Sequence, residues 1–379
     1  MRSWLTFLMK RSSGAGLAIV LVLCAGCGWM GGPARPAWID GNSAQYPASQ
    51  YLVGVGQADS RPQATEQAYA AVSRIFKAEI TAQAKDWESY LVVESRGQTN
   101  TERRLTLDNV TRVTTDKVLE NVQILDTWFD QKARQYYALA GMNRAQAESA
   151  MVERLAELDR TIQTQVTEAS HTQDKLSRVR NLKRAAKNLV LREAYNTDLR
   201  TIRSTGQGSP AAYRVAELTA ELEQFLSTQY GMAVEVSGEQ AEPLERALIE
   251  GLAQEGFSVA GHGAASGTTP VELLITGTVR LWPIEVHDPH FRYVRWCTDA
   301  VIEETATQRV IGAVSRGGKE GHVTEREAAA KAVRVMQQEF SADLAQAVAA
   351  HIYGERDLSV SSSAPSGCPK EAVQPPLNR

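Results

Sequence analysis

A short motif, His287-Asp288-Pro289-His290, places two imidazoles and a carboxylate close together in the chain. Imidazole and carboxylate groups are ligands that Zn²⁺ accepts, and a proline-containing loop between two strands would let these side chains converge. No further ligand follows at a recognisable zinc-site spacing, and the surrounding sequence is not rich in cysteine. The motif therefore favours a polar hairpin loop over a metal site, and we predict no bound metal.

Two glycine-containing segments were compared with phosphate-binding loops. Gly54-Val55-Gly56 lies between a strand-like and a helix-like segment, but Asp59 replaces the third glycine of G-x-G-x-x-G and would repel a pyrophosphate. Gly317-Gly318-Lys319 lacks the spacing and the Ser/Thr of a P-loop. We interpret both segments as tight turns and predict no cofactor.

No catalytic motif accompanies these segments. The sequence contains no G-x-S-x-G, H-E-x-x-H or S-x-x-K set in a plausible structural setting, and the remaining histidines stand apart from any nucleophile. We therefore name no catalytic residue and expect a protein that is not an enzyme. An enzyme or metal-dependent binder using the His287–His290 loop remains the least favoured hypothesis.

The N-terminus has the three parts of a secretory signal. Positive residues (Arg2, Lys10, Arg11) precede a short apolar run, Gly14–Leu23, and small residues then lead to Cys27. The run is too short to cross a bilayer permanently. The string ending at Cys27 resembles a lipobox, with Cys24 where an aliphatic residue is usual. Residues 1–26 are thus expected to be a lipoprotein signal peptide, and an ordinary secreted protein is the alternative.

If the lipobox resemblance holds, Cys27 carries a thioether-linked diacylglycerol and an N-acyl chain such as palmitate. Several buried chains anchor a protein durably, whereas one chain binds a membrane only reversibly. Gly28 follows the cysteine instead of Asp, which in lipoprotein sorting implies the outer membrane. The expected location is therefore the periplasmic side of the outer membrane.

Two cysteines remain once Cys24 is lost with the leader and Cys27 is modified. In an oxidising compartment Cys297 and Cys368 are predicted to form a disulfide, with two free thiols as the alternative. The adjacent Trp296 should point to the core and Cys297 away from it, since successive strand residues face opposite ways. The net charge is −3, which becomes −6 without the three cations of the leader, so no nucleic-acid partner is expected.

The segment 27–36 is rich in Gly and Pro and reads as a flexible tether. A first α+β unit is expected over 37–142, with a strand at Tyr51–Val55 and a helix capped by Ser60 and Gln63. The predicted core stripe of this helix contains Ala64, Ala68, Val72, Ile75 and Ile80. Further strands are predicted at Tyr90–Glu94, Val110–Thr114, Val122–Trp128 and Gln135–Ala140.

Residues 143–203 are expected to form an amphipathic helical hairpin, because apolar residues recur every three or four positions. This segment also carries a basic run. It could face lipid phosphates or an anionic glycan, but a solvated helix face is favoured. The run consists of Arg178, Arg180, Lys183, Arg184 and Lys187.

A second α+β unit is predicted over 213–353, and 354–379 is expected to be a disordered tail. Helices at 213–229 and 243–255 alternate with strands at 232–238 and 257–260, and three longer strands follow. A final helix, capped by Thr324 and Glu327, should dock on that sheet. The predicted fold class is therefore α+β, with two sheet-plus-helix domains joined by a helical hairpin.

Residues 37–150 resemble the LPP-twenty (LPP20) family of outer-membrane lipoproteins. The resemblance is carried by Pro36-Ala37-Trp38-Ile39, by the segment Tyr51–Ala58 (YLVGVGQA) with its Ala-rich helix, and by Gln135–Arg144 (QYYALAGMNR). The family implies lipidation at Cys27 and no enzymatic activity. Residues 232–352 resemble more loosely, in element order and in Leu273–Gly277, the TolB N-terminal-like fold of FlgT-like flagellar proteins and of lipoprotein activators of penicillin-binding proteins.

These resemblances imply an outer-membrane lipoprotein that acts as a structural or assembly component of the cell envelope, with a flagellar structure as one candidate. The alternative is a lipoprotein regulator of a peptidoglycan synthase. The expected partners are envelope proteins, the membrane through the lipid anchor, and a further copy of the chain as a candidate homo-oligomer.

Overall fold

A computed structural model of the protein describes residues 34–83, 87, 109–114, 116, 118–261, 270–286 and 288–354. The calls that fall on 1–33, on Tyr90–Glu94 and on 355–379 lie outside these residues. The described chain begins with a single 3-10 turn at Ala37–Asp40, whose Trp38 is buried. None of the described helices is long and apolar enough to span a bilayer.

The first sheet contains β1 (Tyr51–Ala58), β2 (Val122–Asp130) and β3 (Gln135–Asn143) in the order β1-β3-β2, and both pairings are antiparallel. Helix α1 (Arg61–Gln83) packs on one face of this sheet. Its predicted capping box is confirmed, because the Gln63 amide donates to Ser60 Oγ and the Ser60 hydroxyl donates to Gln63 Oε1.

The core stripe of α1 is partly corrected. Ala64, Ala68, Val72 and Ile80 are fully buried as expected, but Ile75 is 38% exposed and Phe76 is buried in its place. A helix repeats every 3.6 residues, so the step from Val72 to the same face is four residues and falls on Phe76.

The predicted strand at Val110–Thr114 is wrong, since residues 109–114 are helical. Their β-branched composition suggested a strand. Burial of Thr111, Thr114 and Val118 follows a helical spacing, and the Thr114 hydroxyl donates to the Val110 carbonyl one turn earlier. Packing against the core therefore outweighs the local preference for a strand.

The glycine segments are not turns, which corrects both interpretations. Gly54 and Gly56 lie within β1, and a Cβ on Gly56 would come within 2.1 Å of the Ala64 carbonyl oxygen on α1. These glycines let helix and strand approach closely. Gly317 and Gly318 lie within strand β8, where Gly318 faces the Trp296 ring.

Two helices folded back on each other follow the first sheet. Helices α2 (Arg144–His171) and α3 (Lys175–Ile202) pack side by side, and their N-termini are capped by the Asn143 and Asp174 side chains. Because α3 also contacts α1 and the helices of the second sheet, its last turns are buried on nearly every side. The predicted hairpin is thus the central layer between two sheets.

The second sheet has five strands in the order β5-β4-β6-β7-β8. Strand β4 runs parallel to β5 and β6, whereas β6, β7 and β8 form antiparallel pairs. The strands are β4 (Gly231–Gly238), β5 (Ser258–Ala260), β6 (Val271–Ile284), β7 (Arg292–Glu304) and β8 (Arg309–His322).

Three helices accompany this sheet: α4 (Val215–Gln229), α5 (Ala241–Gln254) and α6 (Glu325–Tyr353). Helix α6 places Met336, Phe340 and Leu344 in a core with Trp296, and Thr324 caps it as expected. The hairpin contributes to this core and to that of the first sheet. The α+β class is confirmed.

Candidate functional site

The predicted lipid attachment site, Cys27, lies outside the described residues, but the segment that follows it is firmly held. The Trp38 indole nitrogen donates to the Asp126 carboxylate of β2 at 2.8 Å, and Arg35 pairs with Asp40 at 2.9 Å. A chain tethered upstream of residue 34 would therefore enter the first sheet through Trp38. Lipidation at Cys27 stays a prediction.

The 287–290 loop is organised by its aspartate. Asp288 accepts hydrogen bonds from the backbone amides of His290 (2.9 Å) and Phe291 (3.1 Å) and from the Tyr293 hydroxyl (2.9 Å). These bonds hold the pKa of Asp288 below its usual value, led by the one from His290. They also occupy the carboxylate in shaping the β6–β7 turn.

His287 lies outside the described residues. Over the ranges that the structure describes, no three His, Cys, Asp or Glu side chains converge in a way that would hold a metal ion. The polar hairpin interpretation agrees with the position of Asp288 between β6 and β7. Enzyme activity is not tested by this geometry.

The basic run on α3 has a role that neither sequence interpretation included. Arg180 donates from Nη2 to the His351 carbonyl at 2.7 Å and from Nε to the Ile352 carbonyl at 3.3 Å. Lys183 is buried with its ammonium 4.1 Å from the Tyr353 ring centroid. These cations bind the end of α6, where the carbonyl groups of a helix need donors.

A third cation of this run and the first residue of α3 extend the contact. Arg178 lies over the Phe225 ring at 4.6 Å and donates to Glu221, and both partners are on α4. Lys175 contacts the Gln229 carbonyl at 2.7 Å and Glu272 of β6 at 2.5 Å. Only Arg184 and Lys187 of the run are exposed in the way expected of a solvated face.

A buried arginine forms the other joint of the hairpin. Arg192 of α3 has a fully buried side chain, and its guanidinium bonds the carboxylate of Asp159 on α2 at 2.9 Å. It also donates to Glu193 and to the Ser209 and Pro210 carbonyls, each at 2.8–2.9 Å. All donor directions that these bonds use are matched, as a buried charge requires.

Residues 205–210 were expected only to break the helix, yet they are held in place. The Asn196 side chain accepts from the Ser209 amide at 2.6 Å, and Arg203 donates to the Gln207 carbonyl. A Cβ on Gly208 would lie 2.6 Å from the Asn196 oxygen, so this position needs glycine. The connection between α3 and α4 is therefore fixed by Arg192 and its neighbours.

Asp198 is the second charged residue of α3 that sequence reasoning missed. Its side chain is fully buried, and neither carboxylate oxygen has a hydrogen-bond partner. Burial raises the pKa of Asp198 well above its usual value. The signal available in the sequence was a carboxylate between Ala194 and Leu199 on a segment with apolar residues on every side.

The predicted orientation at Cys297 is confirmed on the side that the structure describes. Trp296 is buried in the second core, while Cys297 lies on the opposite face of β7 and is half-buried. Its neighbours across the strands are Arg280 and Gly317. Cys368 lies outside the described residues, and the disulfide stays a prediction.

The chain matches the model of one protein family: residues 36–143 match the LPP20 lipoprotein family. The match begins and ends within one residue of the first unit expected from the sequence, and it covers the first sheet with α1. Comparison with curated protein sequences finds no match.

Three solved structures illustrate the likeness in fold. The secreted protein HP1454 from Helicobacter pylori is 13% identical, with 78% of this chain and 97% of that chain covered and a TM-score of 0.36. Lipoprotein GNA1162 from Neisseria meningitidis is 9% identical (29% and 96% covered, TM-score 0.21). A minor lipoprotein from Acinetobacter baumannii is 14% identical (33% and 94% covered, TM-score 0.21).

At these TM-scores the structures carry no argument about function. The sheet-and-helix unit beside the Cys27 leader and its family match define a lipoprotein of the cell envelope. Within that class, residues 36–143 are an LPP20 lipoprotein domain.

Proposed function

We propose that the protein is an outer-membrane lipoprotein, anchored through Cys27, that serves as a structural or assembly component of the cell envelope through protein–protein contacts. The observation that carries this proposal is the LPP20 match at 36–143, a few residues after the lipobox-like cysteine. A flagellum-associated structure is one candidate setting. Envelope proteins are the proposed partners, and a homo-oligomer is a further candidate.

The way in which the two sheets are joined supports a scaffolding role. Arg180 and Lys183 bind the end of α6, and Arg192 fixes the segment between α3 and α4. Buried, fully bonded joints resist relative movement of the parts that they connect. Such a body transmits a fixed spacing from a membrane anchor to a partner.

The test is photo-crosslinking in intact cells from a probe residue at exposed Val310 on β8, followed by identification of the attached proteins. Capture of the same envelope protein by the native chain in replicate cultures supports the proposal. Its disappearance in Cys27→Ser, at equal protein amounts, links the contact to the anchor. Capture of nothing above a control probe at exposed Val152 on α2 contradicts a contact through the second sheet.

Two other functions predict different results. A regulator of a peptidoglycan synthase would stimulate a purified glycan-polymerisation assay when the mature chain is added, and no stimulation removes that function. A metal-dependent binder or enzyme would hold a stoichiometric ion that is lost in His287→Ala with His290→Ala. A metal-free native chain removes the second one.

A further inference from the structure

The two faces of the second sheet differ in what covers them. Helices α5 and α6 pack on the face that carries Trp296. The opposite face, called the outer face, presents Tyr293, Arg295, Cys297, Asp299 and Val301 along β7, and Val301 is 38% exposed. We propose that residues 355–379 lie across this outer face as a strap, joined to it by a disulfide between Cys368 and Cys297.

The first argument is the position at which the strap begins. Helix α6 runs back along β8, because Lys331 pairs with Glu320 at 3.0 Å and Asp343, further along the helix, pairs with Arg316. Near its end, His351 is close enough to Glu304 and Arg309 for their charges to act on its pKa. The helix therefore ends beside the β7–β8 turn, where Gly354 caps it.

The second argument is reach. Fourteen residues separate Gly354 from Cys368, which in extended form span about 46–50 Å. Seven residues separate Glu304 from Cys297 along β7, a distance of about 24 Å. The chain leaves α6 on one side of the sheet and Cys297 lies on the other, so the segment must round the β7–β8 end and return along the outer face.

The third argument is the space beside Cys297. Its neighbour on β8 is Gly317, and even a Cβ added there would lie 3.9 Å from the Cys297 sulfur. A glycine at this position leaves one flank of the thiol clear. In the strap, Gly367 and Pro369 flank Cys368, so the approaching segment is narrow at the point of attachment.

The bond forms by exchange with a protein disulfide of the oxidising compartment. A thiolate of one cysteine attacks the donor disulfide, and the second thiolate then displaces the donor sulfur from the mixed disulfide. The Cys297–Cys368 bond forms, the donor bond breaks, and the donor leaves as two thiols that carry the two electrons and two protons.

The experiment uses the full mature chain, purified without reductant, beside its Cys368→Ser variant. Peptide mapping by mass spectrometry under non-reducing conditions reports the linkage, and hydroxyl-radical footprinting of Tyr293 reports cover on the outer face. Tyr136 of the first sheet is the internal control for dose. Because Cys368 lies beyond the folded helices, its substitution leaves both cores intact, and circular dichroism verifies this.

We expect a Cys297–Cys368 linked peptide in the native chain and a severalfold rise in Tyr293 oxidation in Cys368→Ser, with Tyr136 unchanged. Free thiols at both cysteines overturn the proposal. A disulfide between two chains, visible as a dimer on a non-reducing gel, also overturns it. So does a linked peptide without any change in Tyr293 oxidation, because the tail would then be attached without covering the face.

Discussion

Replacing Arg192 by Met tests whether the joint between α3 and α4 depends on one buried cation. Methionine keeps most of the aliphatic volume but removes the guanidinium that bonds Asp159, Glu193 and the Ser209 and Pro210 carbonyls. Asp159 and Glu193 are 40% and 24% exposed, so water can solvate both carboxylates after the change. The buried cation itself, together with the two carbonyl bonds, supplies most of the effect.

The size of the effect follows from these contacts. Removing one partner from a buried ion pair typically costs about 3–5 kcal/mol. Partial solvation of the two carboxylates places Arg192→Met at the lower end, at about 3 kcal/mol. Arg192→Lys keeps the charge but offers one nitrogen instead of a planar fork, so we expect it to lose about half as much.

The assay is urea unfolding of the mature chain followed by tryptophan fluorescence, with hydrogen exchange of the 205–210 amides as a local readout. The matched control is Arg246→Met on α5, since Arg246 is 73% exposed and pairs only with Glu242 one turn earlier. An exposed pair of this kind contributes about 0.5 kcal/mol or less. A loss below about 1 kcal/mol in Arg192→Met, equal to that of the control, would refute the joint.

Three further perturbations probe other parts of the account. The native form of Asp198 retains a proton that the unfolded chain releases above about pH 4, so stability should fall by up to about 1.4 kcal/mol per pH unit above that value; denaturant titrations of Asp198→Asn from pH 4 to 7 should lack this decline, and an identical slope in both proteins would show that Asp198 does not titrate as described. Gly56→Ala should destabilise the chain by about 1–3 kcal/mol in thermal unfolding, because its Cβ meets the Ala64 carbonyl at 2.1 Å; Gly251→Ala on α5, where a Cβ has room at 3.4 Å, is the control that should be neutral or stabilising, and equal effects would contradict the close helix–strand approach. Arg180→Met should cost about 1.5–3 kcal/mol through loss of the bonds to the end of α6, and a chevron or urea curve matching the native chain would exclude them.

Periodicity predicted where most elements lie, because burial of one face imposes a repeat that the sequence displays. The stripe on α6 and the cap at Thr324 are confirmed in this way. The error at Ile75 has the same origin: several apolar residues lie close to the expected face, and only the packed structure selects Phe76. A stripe read from sequence therefore defines a face to within about one residue.

Residues whose roles depend on a distant segment could not be predicted. Arg180 resembles any solvated cation until the end of α6, more than one hundred and fifty residues later, is placed beside it. Gly54 and Gly56 appear as turn formers for the same reason, since the close approach of α1 is invisible in the local sequence. Composition describes each residue's preference, and only the fold supplies its partner.

Arg192 and Asp198 show a second limit. Both are charged residues on an apolar helix segment, a pattern that signals either exposure or a specific buried role. The sequence signal was present, but its meaning differs between them: Arg192 is fully bonded, and Asp198 has no partner for either oxygen. Charged residues within otherwise buried helices are thus the positions where structure adds most.

The most direct test of the account is the distribution of the protein between the membrane and soluble fractions of cells expressing the native chain or Cys27→Ser from the same promoter. The account predicts that the native chain sediments with the outer membrane and resists extraction by high salt, whereas Cys27→Ser is released in the soluble fraction. Equal distribution of the two proteins would contradict anchoring through Cys27.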